Sequence, residues 1–232
     1  MKQPPVEGRA VRSFVMRAGR ITAAQRRALE ELWPRFGWSY SAQPIDLAAL
    51  YDREAPCTLE IGFGNGEHLA ARAQAEPRRN FLGVEVHRPG IGHLLLAAAA
   101  TSLENLRVID HDAVEVLRDQ IAPDTLDEIQ ILFPDPWPKT RHHKRRLIQP
   151  AFATLAASRL RAGGWLRLAT DWAPYAEHMR LVLDDCALLA RQDASAAGTA
   201  TDSPAARAAT RFEKRGLRLG HEVTDLAYQR RP

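Results

Sequence analysis

Leu59-Glu60-Ile61-Gly62-Phe63-Gly64-Asn65-Gly66 is a short apolar run that breaks into a glycine-rich turn. Glycines at 62, 64 and 66 let the backbone bend sharply and let a ligand approach where a Cβ atom would collide with it. We predict a strand over residues 58–61 and a helix over residues 67–74. A strand, a glycine turn and a helix in this order are typical of the ligand-binding edge of a doubly wound α/β fold. A turn that binds no ligand remains the alternative.

The acids around this turn indicate which nucleotide it would bind. Gly62, Gly64 and Gly66 lack the glycine spacing of a dinucleotide site, and Glu60 just before them would repel a pyrophosphate. Glu85 ends the next apolar run about 20 residues after the turn, where an acid can bind ribose hydroxyls. A cofactor with a ribose, a positive charge and no phosphate fits these residues better than NAD does. S-adenosylmethionine is such a cofactor, so the turn indicates a class I methyltransferase.

Length and composition favour one folded domain with extensions. The chain has 232 residues, of which 45% are hydrophobic and 26% charged, which are globular values. We find no apolar stretch that approaches the ~20 residues needed to span a bilayer, and the first residues have no signal-peptide core. Cys57 and Cys186 lack metal-ligand spacing, so we expect a cytoplasmic protein with neither a disulfide nor a metal site.

The net charge of +4 hides a segregation along the chain. Residues 1–36 carry eight basic and three acidic side chains, whereas residues 37–138 carry seven basic and sixteen acidic ones. Residues 139–146 carry five basic side chains and no acidic one. This pattern is expected of a polyanion-binding surface beside a pocket for a cation. Solvated basic tails would give a similar pattern.

The N-terminal segment is predicted to be a basic arm, residues 1–36, that precedes a methyltransferase domain of residues 37–232. Thr22 and Gln25 form a capping-box pattern for a short helix that should stop at Trp33, before Pro34. An aromatic cluster follows at Phe36, Trp38 and Tyr40. It could stack bases, but packing onto the edge of the sheet is the favoured interpretation.

From Cys57 onward, strands and helices alternate, which predicts a parallel sheet. A C-terminal run around residues 223–228 suggests a closing strand or hairpin, and residues 192–209 are expected to be a mobile loop. The predicted strands cover residues 58–61, 81–84, 106–109, 126–133 and 165–169, and the main helices cover residues 67–74, 89–101, 150–160 and 175–189. We therefore expect a Rossmann-like α/β fold, a mostly parallel seven-stranded sheet with a C-terminal antiparallel hairpin.

Five acids fall at the C-terminal ends of successive predicted strands, the edge where open α/β sheets bind ligands. Asp112 could instead be only the N-cap of a following helix, and Asp171 could cap the helix from Ala173. Five acids in register are nevertheless more than helix capping would need. The five are Glu60, Glu85, Asp112, Asp135 and Asp171.

A proline-rich motif, Phe133-Pro134-Asp135-Pro136-Trp137-Pro138-Lys139, follows the fourth predicted strand. Three prolines in five residues stiffen the segment, because each proline fixes φ near −65°. The basic run Arg141-His142-His143-Lys144-Arg145-Arg146 comes directly afterwards, where it could contact an RNA backbone.

With these motifs the sequence resembles the bacterial tRNA (guanine-N7-)-methyltransferases, from about residue 36 to residue 230. The resemblance rests on the glycine turn, the proline-rich motif with Arg145-Arg146, and Thr210-Arg211-Phe212-Glu213. It implies transfer of a methyl group from S-adenosylmethionine to N7 of a guanine in the variable loop of tRNA, at position 46 in tRNA numbering. His142-His143 is a mild departure, since it interrupts the basic run.

The resemblance also implies roles for individual residues. Glu60, Glu85, Asp112 and Asp135, with the glycines at 62, 64 and 66, match cofactor-site positions, and Asp135 matches the catalytic residue. The run Arg141, Lys144, Arg145 and Arg146 matches the RNA-contacting stretch. The matching substrate-binding positions are Lys139, Asp171, Thr210, Arg211, Phe212 and Glu213.

Other functions remain in view. A methyltransferase acting on another RNA keeps the fold and cofactor, while a small-molecule acceptor would leave the basic run unexplained. A non-catalytic RNA-binding subunit would not need the series of acids. We expect tRNA as the partner, no membrane, no obligatory protein partner, and a monomer or homodimer.

Overall fold

The computed structural model describes residues 13–14, 20–192 and 222–232. In this part of the chain, seven strands form one sheet in the order β3-β2-β1-β4-β5-β7-β6. The first five strands are parallel, and β7 pairs antiparallel with both β5 and β6. The strands are β1 Cys57–Ile61, β2 Asn80–Glu85, β3 Leu106–Asp110, β4 Leu126–Leu132, β5 Leu160–Thr170, β6 Leu189–Gln192 and β7 Thr224–Arg230.

Helices cover both faces of this sheet. Residues of β2 alternate between two buried clusters: Phe81 belongs to the cluster packed under α1, α4 and α5, and Leu82 to the cluster under α3, α6, α7 and α8. The helices are α1 Ala23–Glu31, α2 Trp33–Phe36, α3 Leu47–Tyr51, α4 Glu67–Ala75, α5 Arg88–Ala100, α6 Ala113–Asp119, α7 Pro150–Arg159 and α8 Ala173–Asp184, and Thr140–Arg145 form a 3₁₀ helix. The predicted doubly wound fold, with its antiparallel C-terminal hairpin, is confirmed.

The N-terminal helix packs onto the domain. Thr22 and Gln25 form the predicted capping box, with Gln25 N–H donating to Thr22 Oγ1 at 3.2 Å. The prediction that this helix runs to Trp33 is wrong: α1 ends at Glu31, and Pro34 lies in the first turn of a second helix. Proline is favoured in a first helical turn because the N–H it lacks has no partner there. The boundary between arm and domain at residue 36 stays a prediction.

The aromatic cluster packs against the β3 edge, as favoured. Phe36 is fully buried, and Trp38 N–H donates to Val108 O at 2.8 Å, which continues the backbone hydrogen bonding beyond β3. This segment covers an edge that would otherwise present unpaired backbone groups.

The helix predicted over residues 175–189 is shorter than expected. It begins at Ala173 and ends at Asp184, and residues Leu189–Gln192 form β6 instead. Leu189 is buried and pairs with Arg230 of β7, so a contact distant in sequence overrides the local helical pattern. Local periodicity alone could not reveal this pairing.

A buried ionic cluster joins α4 to the centre of the sheet. Glu128 of β4 is 1% exposed and accepts hydrogen bonds from Arg72 Nη1 at 3.1 Å and Thr58 Oγ1 at 3.1 Å. Arg167 of β5 lies 3.1 Å from the second carboxylate oxygen. Arg72 also pairs with Glu76 at 2.9 Å, so the two guanidinium groups, both largely shielded from water, lie against two carboxylates.

We predict that Glu128→Ala lowers the free energy of unfolding by about 3–5 kcal/mol, because it removes the buried carboxylate that lies against both Arg72 and Arg167 and leaves Arg72 with Glu76 alone. Urea denaturation followed by circular dichroism measures this change. The control is Glu177→Ala, which breaks the exposed pair of Glu177 with Arg180 on α8 and should cost less than about 1 kcal/mol. Equal losses in the two variants would contradict the prediction.

Candidate functional site

A cavity of about 340 Å³ lies at the carboxyl ends of β1, β2, β3 and β4. This volume is within the roughly 300–1,000 Å³ of small-molecule sites in proteins. The segments after all four strands contribute to its wall, together with two residues from the N-terminal segment. The lining residues are Ser13, Phe14, Ile61, Gly62, Gly64, Val84, Glu85, Val86, His87, His111, Asp112, Ala113, Ile131, Leu132, Phe133, Pro134, Asp135 and Leu147.

The three glycines of the turn have different roles. All three have positive φ angles, +73° at Gly62, +58° at Gly64 and +74° at Gly66, a backbone region that favours glycine. A Cβ atom at Gly62 would meet nothing within 4 Å, so the turn opens toward free space there. A Cβ atom at Gly66 would lie 2.7 Å from Leu94 of α5, and Gly66 does not line the cavity. Gly62 and Gly64 therefore form the ligand side of the turn, while Gly66 allows packing.

Helix α5 supports the turn from behind. A Cβ atom at Gly90 would lie 2.0 Å from the carbonyl oxygen of Gly64, so only glycine permits this approach. His93 Nδ1 donates a hydrogen bond to the carbonyl oxygen of Asn65 at 2.9 Å. Glycine within a helix is unfavourable by roughly 1 kcal/mol relative to alanine, so a glycine there often has a packing reason. Gly90 could have been noticed in the sequence on this ground.

Glu85, at the end of β2, binds the turn directly. Its carboxylate accepts hydrogen bonds from the N–H groups of Gly64 at 2.8 Å, Val86 at 2.7 Å and His87 at 3.0 Å. The side chain is half-buried and lines the cavity, as its predicted position at the strand end requires. Glu85 thus orders the turn and still reaches the space where a ligand would lie.

Glu60, the acid before the turn, lies outside the cavity lining. It is 3% exposed, does not line the cavity, and accepts a hydrogen bond from His68 Nδ1 of α4 at 2.9 Å. Ile61 lines the cavity instead, because successive side chains of a strand point to opposite faces. The Glu60–His68 pair bridges the strand before the turn and the helix after it. A direct contact of Glu60 with a cofactor stays a prediction.

Asp112 combines the two roles that the sequence left open. It is the N-cap of α6, with Oδ1 accepting from Val114 N–H at 2.9 Å, and it also lines the cavity. Capping thus does not remove it from the ligand site.

The proline-rich motif forms one cavity wall in an unusual backbone conformation. Phe133 and Trp137 have φ angles of +53° and +45°, which are rare for aromatic residues and are maintained by surrounding contacts. Asp135 between them is exposed and lines the cavity. Arg146 Nε donates to Pro136 O at 3.0 Å, which fastens the motif to the segment that follows it.

The basic run divides into exposed and buried cations. Arg141 and Lys144 are exposed on the 3₁₀ helix, and Lys139 is exposed just before it. Arg145 is half-buried, with its guanidinium 4.9 Å from the centre of the Trp137 ring. Arg146 is 4% exposed and its guanidinium lies 4.8 Å from the centre of the Tyr175 ring, so it supports the motif; an RNA contact of Arg146 stays a prediction.

The two histidines that interrupt this run lie in different environments. Desolvation and the neighbouring arginines lower the pKa of His142, so it is neutral near pH 7. The Nε2 atom of His143 lies 3.1 Å from Nη2 of Arg146. Since a guanidinium can only donate, Nε2 of His143 is the acceptor in this contact, which ties the ring to Arg146. The lowered pKa of His142 thus reduces the positive charge that this histidine adds to the basic run.

The remaining predicted substrate positions are less defined. Asp171 is half-buried after β5, one residue before Trp172, the N-cap of α8. It does not line the cavity. Thr210, Arg211, Phe212 and Glu213 lie outside the described residues, as do residues 193–209 of the predicted mobile loop.

The structure adds two residues that sequence analysis did not select. Ser13 and Phe14 line the cavity, and Trp137 Nε1 donates a hydrogen bond to Ser13 O at 3.1 Å. The predicted basic arm therefore contributes to the ligand site through an apolar ring and a backbone carbonyl. Sequence analysis did not select Ser13 and Phe14 because they lie in an arginine-rich stretch, where the positive charges indicated an RNA-binding arm.

Two negative findings apply to the described residues. They include no group of three or more His, Cys, Asp or Glu side chains placed to bind a metal ion. No helix among them is long and apolar enough to cross a membrane.

The sequence matches known proteins over nearly its whole length. Residues 54–226 match the family described as "Putative methyltransferase". The tRNA (guanine-N(7)-)-methyltransferase of Methylococcus capsulatus is 54% identical over 96% of this chain and 95% of its own. That of Halorhodospira halophila is 53% identical over 100% and 98%. The chain belongs to this methyltransferase family.

Solved structures agree with the fold. The 16S rRNA methyltransferase KamB superposes with a TM-score of 0.54 at 16% identity, over 94% of this chain and 97% of that one. The antibiotic-resistance methyltransferase Kmr gives a TM-score of 0.53 at 15% identity, over 83% and 94%. At these identities the similarity establishes the class I methyltransferase fold alone.

Proposed function

We propose that this methyltransferase transfers the methyl group of S-adenosylmethionine to N7 of a guanine in the variable loop of tRNA, at position 46. One arrangement carries the proposal. The cavity lies along four strand ends, its wall after β4 is the proline-rich motif with Asp135, and exposed cations follow this motif directly in the chain. The relatives from Methylococcus capsulatus and Halorhodospira halophila are named tRNA (guanine-N(7)-)-methyltransferase, which supports N7 of a tRNA guanine as the acceptor. A non-catalytic RNA-binding subunit would need the cations but not the cavity.

The cavity fits the proposed cofactor. The turn at Gly62 opens to free space, Glu85 offers a carboxylate for ribose hydroxyls, and apolar walls at Ile131 and Leu132 lead to Asp135. When bound, S-adenosylmethionine supplies a methyl group on a positively charged sulfur and is left as the neutral thioether S-adenosylhomocysteine. Carboxylates around the cavity favour that positive charge.

The reaction needs positioning more than proton transfer. Guanine N7 carries an in-plane lone pair and no proton at neutral pH, so it attacks the methyl carbon without a general base. The N7–carbon bond forms as the carbon–sulfur bond breaks, and the positive charge moves to the purine. Asp135 is placed in the cavity wall to stabilise that charge, or to accept hydrogen bonds from N1–H and the N2 amino group of guanine.

The exposed cations indicate where RNA would bind. Lys139, Arg141 and Lys144 are positioned to contact phosphates beside the Asp135 motif, with Asp171 and the segment from Thr210 to Glu213 as further substrate positions. We propose that a single chain contains both sites, as a monomer or homodimer without an obligatory protein partner. Its substrate places the enzyme in the cytoplasm.

Methylation of tRNA tests the function directly. The purified chain is incubated with labelled S-adenosylmethionine and unmodified bulk tRNA, and the digested RNA is analysed for methylated nucleosides. We expect 7-methylguanosine that maps to the variable loop. A different methylated nucleoside would overturn the acceptor, and the absence of methylation would contradict the claim that one chain suffices.

Asp135→Ala should lower the single-turnover rate about 10²–10³-fold and leave cofactor affinity nearly unchanged, because its carboxylate acts on charge that develops at the purine. Rapid quench with labelled cofactor and calorimetry measure the two quantities. Asp135→Asn distinguishes charge stabilisation from hydrogen bonding to guanine. Its single-turnover rate should equal that of Asp135→Ala if the negative charge is what matters, and should exceed it if hydrogen bonding to the base is what matters. A loss confined to cofactor affinity would exclude both.

Gly90→Ala should weaken cofactor affinity about tenfold or more, since its Cβ atom would displace the Gly64 carbonyl and the turn with it. The matched control is Gly92→Ala on the same helix, whose Cβ atom would meet Gln25 of α1. That variant should lose stability and keep cofactor affinity. Calorimetric titration and thermal unfolding distinguish the two, and equal affinity in both variants would refute the role of Gly90.

Arg141→Ala should weaken tRNA binding and reduce the slope of log affinity against log salt by about 1, because it removes one phosphate contact. Arg146→Ala should instead lower stability. The control is Arg78→Ala, an exposed cation in the turn before β2, at the opposite end of the sheet. Filter binding at several salt concentrations measures the slopes. An unchanged slope in Arg141→Ala would remove this residue from the RNA surface.

A further inference from the structure

Trp172 is a partly exposed tryptophan at the sheet edge where the ligand cavity lies. It follows the carboxyl end of β5, directly before α8, and 36% of its surface is exposed. Hydrogen bonds fix its backbone on both sides. Trp172 N–H donates to Oγ1 of the buried Thr170 at 3.2 Å, and Trp172 O accepts from Tyr175 N–H at 2.8 Å. This tryptophan is thus accessible to a partner and attached to a rigid part of the fold.

The indole of Trp172 differs from two other indoles in its contacts with cations. The guanidinium of Arg145 lies 4.9 Å from the ring centre of Trp137, and that of Arg167 lies 4.7 Å from the ring centre of Trp165. Among the described residues, none places a cation or a second ring over Trp172. The face of an indole attracts positive charge through its quadrupole. In this part of the structure, Trp172 therefore offers a face for a planar group that carries positive charge.

The order of the strands places Trp172 next to the proline-rich motif. Strand β5 lies beside β4, and Phe133 N–H, at the start of the motif, donates to Ala169 O of β5 at 2.8 Å. The segments that leave these two strands, with Asp135 on one and Trp172 on the other, are therefore neighbours at the same edge. The cavity lies at the ends of β1 to β4, and none of its described lining residues follows β5. The segment after β5 is thus the next position along the edge beyond Asp135.

The geometry of methyl transfer directs the guanine toward this position. The nucleophile attacks the methyl carbon from the side opposite to sulfur, with the three atoms in line. The proposed cofactor fills the cavity at β1 to β4 with its methyl end at Asp135, so the guanine approaches from beyond Asp135, on the β5 side. Because the lone pair of N7 lies in the plane of the purine, the edge of the base faces the methyl group. The flat faces of the base then remain available for stacking.

We propose that Trp172 stacks on the target guanine and stabilises the positive charge that the purine acquires during the reaction. The inference rests on the proposed function. As the N7–carbon bond forms and the carbon–sulfur bond breaks, positive charge passes from sulfur to the purine and no proton moves. The attraction between the indole face and the purine grows with that charge, so Trp172 favours the transition state over the bound substrate. Trp172 is thereby a catalytic residue in contact with the base.

Single-turnover methylation of tRNA, with enzyme and S-adenosylmethionine both saturating, measures this contribution. Trp172→Leu keeps an apolar side chain but has no aromatic face, and it should react about tenfold more slowly than the unaltered chain. Trp172→Phe keeps an aromatic face, and its rate should stay within about threefold of the unaltered chain. Both variants should bind S-adenosylhomocysteine with unchanged affinity in calorimetric titrations, because Trp172 does not line the cavity.

Trp38→Ala is the matched control, because Trp38 is a tryptophan of similar exposure, 40%, at the β3 edge of the sheet. Its rate should equal that of the unaltered chain. An unchanged rate in Trp172→Leu would show that the indole does not act on the guanine. Equally slow Leu and Phe variants, or a loss of cofactor affinity in either, would show that Trp172 only packs. Each of these results overturns the inference, whereas an unaltered chain that methylates no tRNA would contradict the proposed function.

Discussion

The approach of α5 to the glycine turn is the contact on which the ligand site depends. The carbonyl oxygen of Gly64 lies only 2.0 Å from where a Cβ atom of Gly90 would be, so the helix and the turn meet backbone to backbone. From the other side, the carboxylate of Glu85 binds Gly64 N–H at 2.8 Å. A turn that is held from both sides keeps its shape without a ligand, and such preorganisation lowers the entropic cost of binding.

The parts of this fold that follow local rules could be predicted from the sequence, and the parts that depend on distant partners could not. The central strands are continuous apolar runs, as expected of parallel strands buried on both faces, and their bounds came within two residues for β1, β2 and β3. The helix predicted over residues 175–189 ends at Asp184, and the strand at Leu189–Gln192 was missed because its partner β7 begins about thirty residues further along the chain.

The same division holds within the site. Glu85, Asp112 and Asp135 reach the cavity because the carboxyl ends of parallel strands share one edge. Glu60 does not reach it, because a strand alternates its side chains and the residue that faces the cavity is Ile61. Gly90 and Ser13 enter the site through tertiary packing. A spacing rule cannot locate such residues, although an unexplained glycine inside a helix is a usable hint.

The loop of residues 133–139 belongs to both proposed binding surfaces, so the two cannot be independent. Asp135 lines the cavity, and the exposed cations begin only four residues later, at Lys139. Trp137 binds the backbone of Ser13 on one side and the guanidinium of Arg145 on the other, while its positive φ limits how the loop can relax. RNA that draws Arg145 toward a phosphate must therefore disturb contacts that also shape the cavity wall. If the proposed function holds, we expect the binding of substrate and the binding of cofactor to be coupled, because the residues of this one loop contribute to both surfaces.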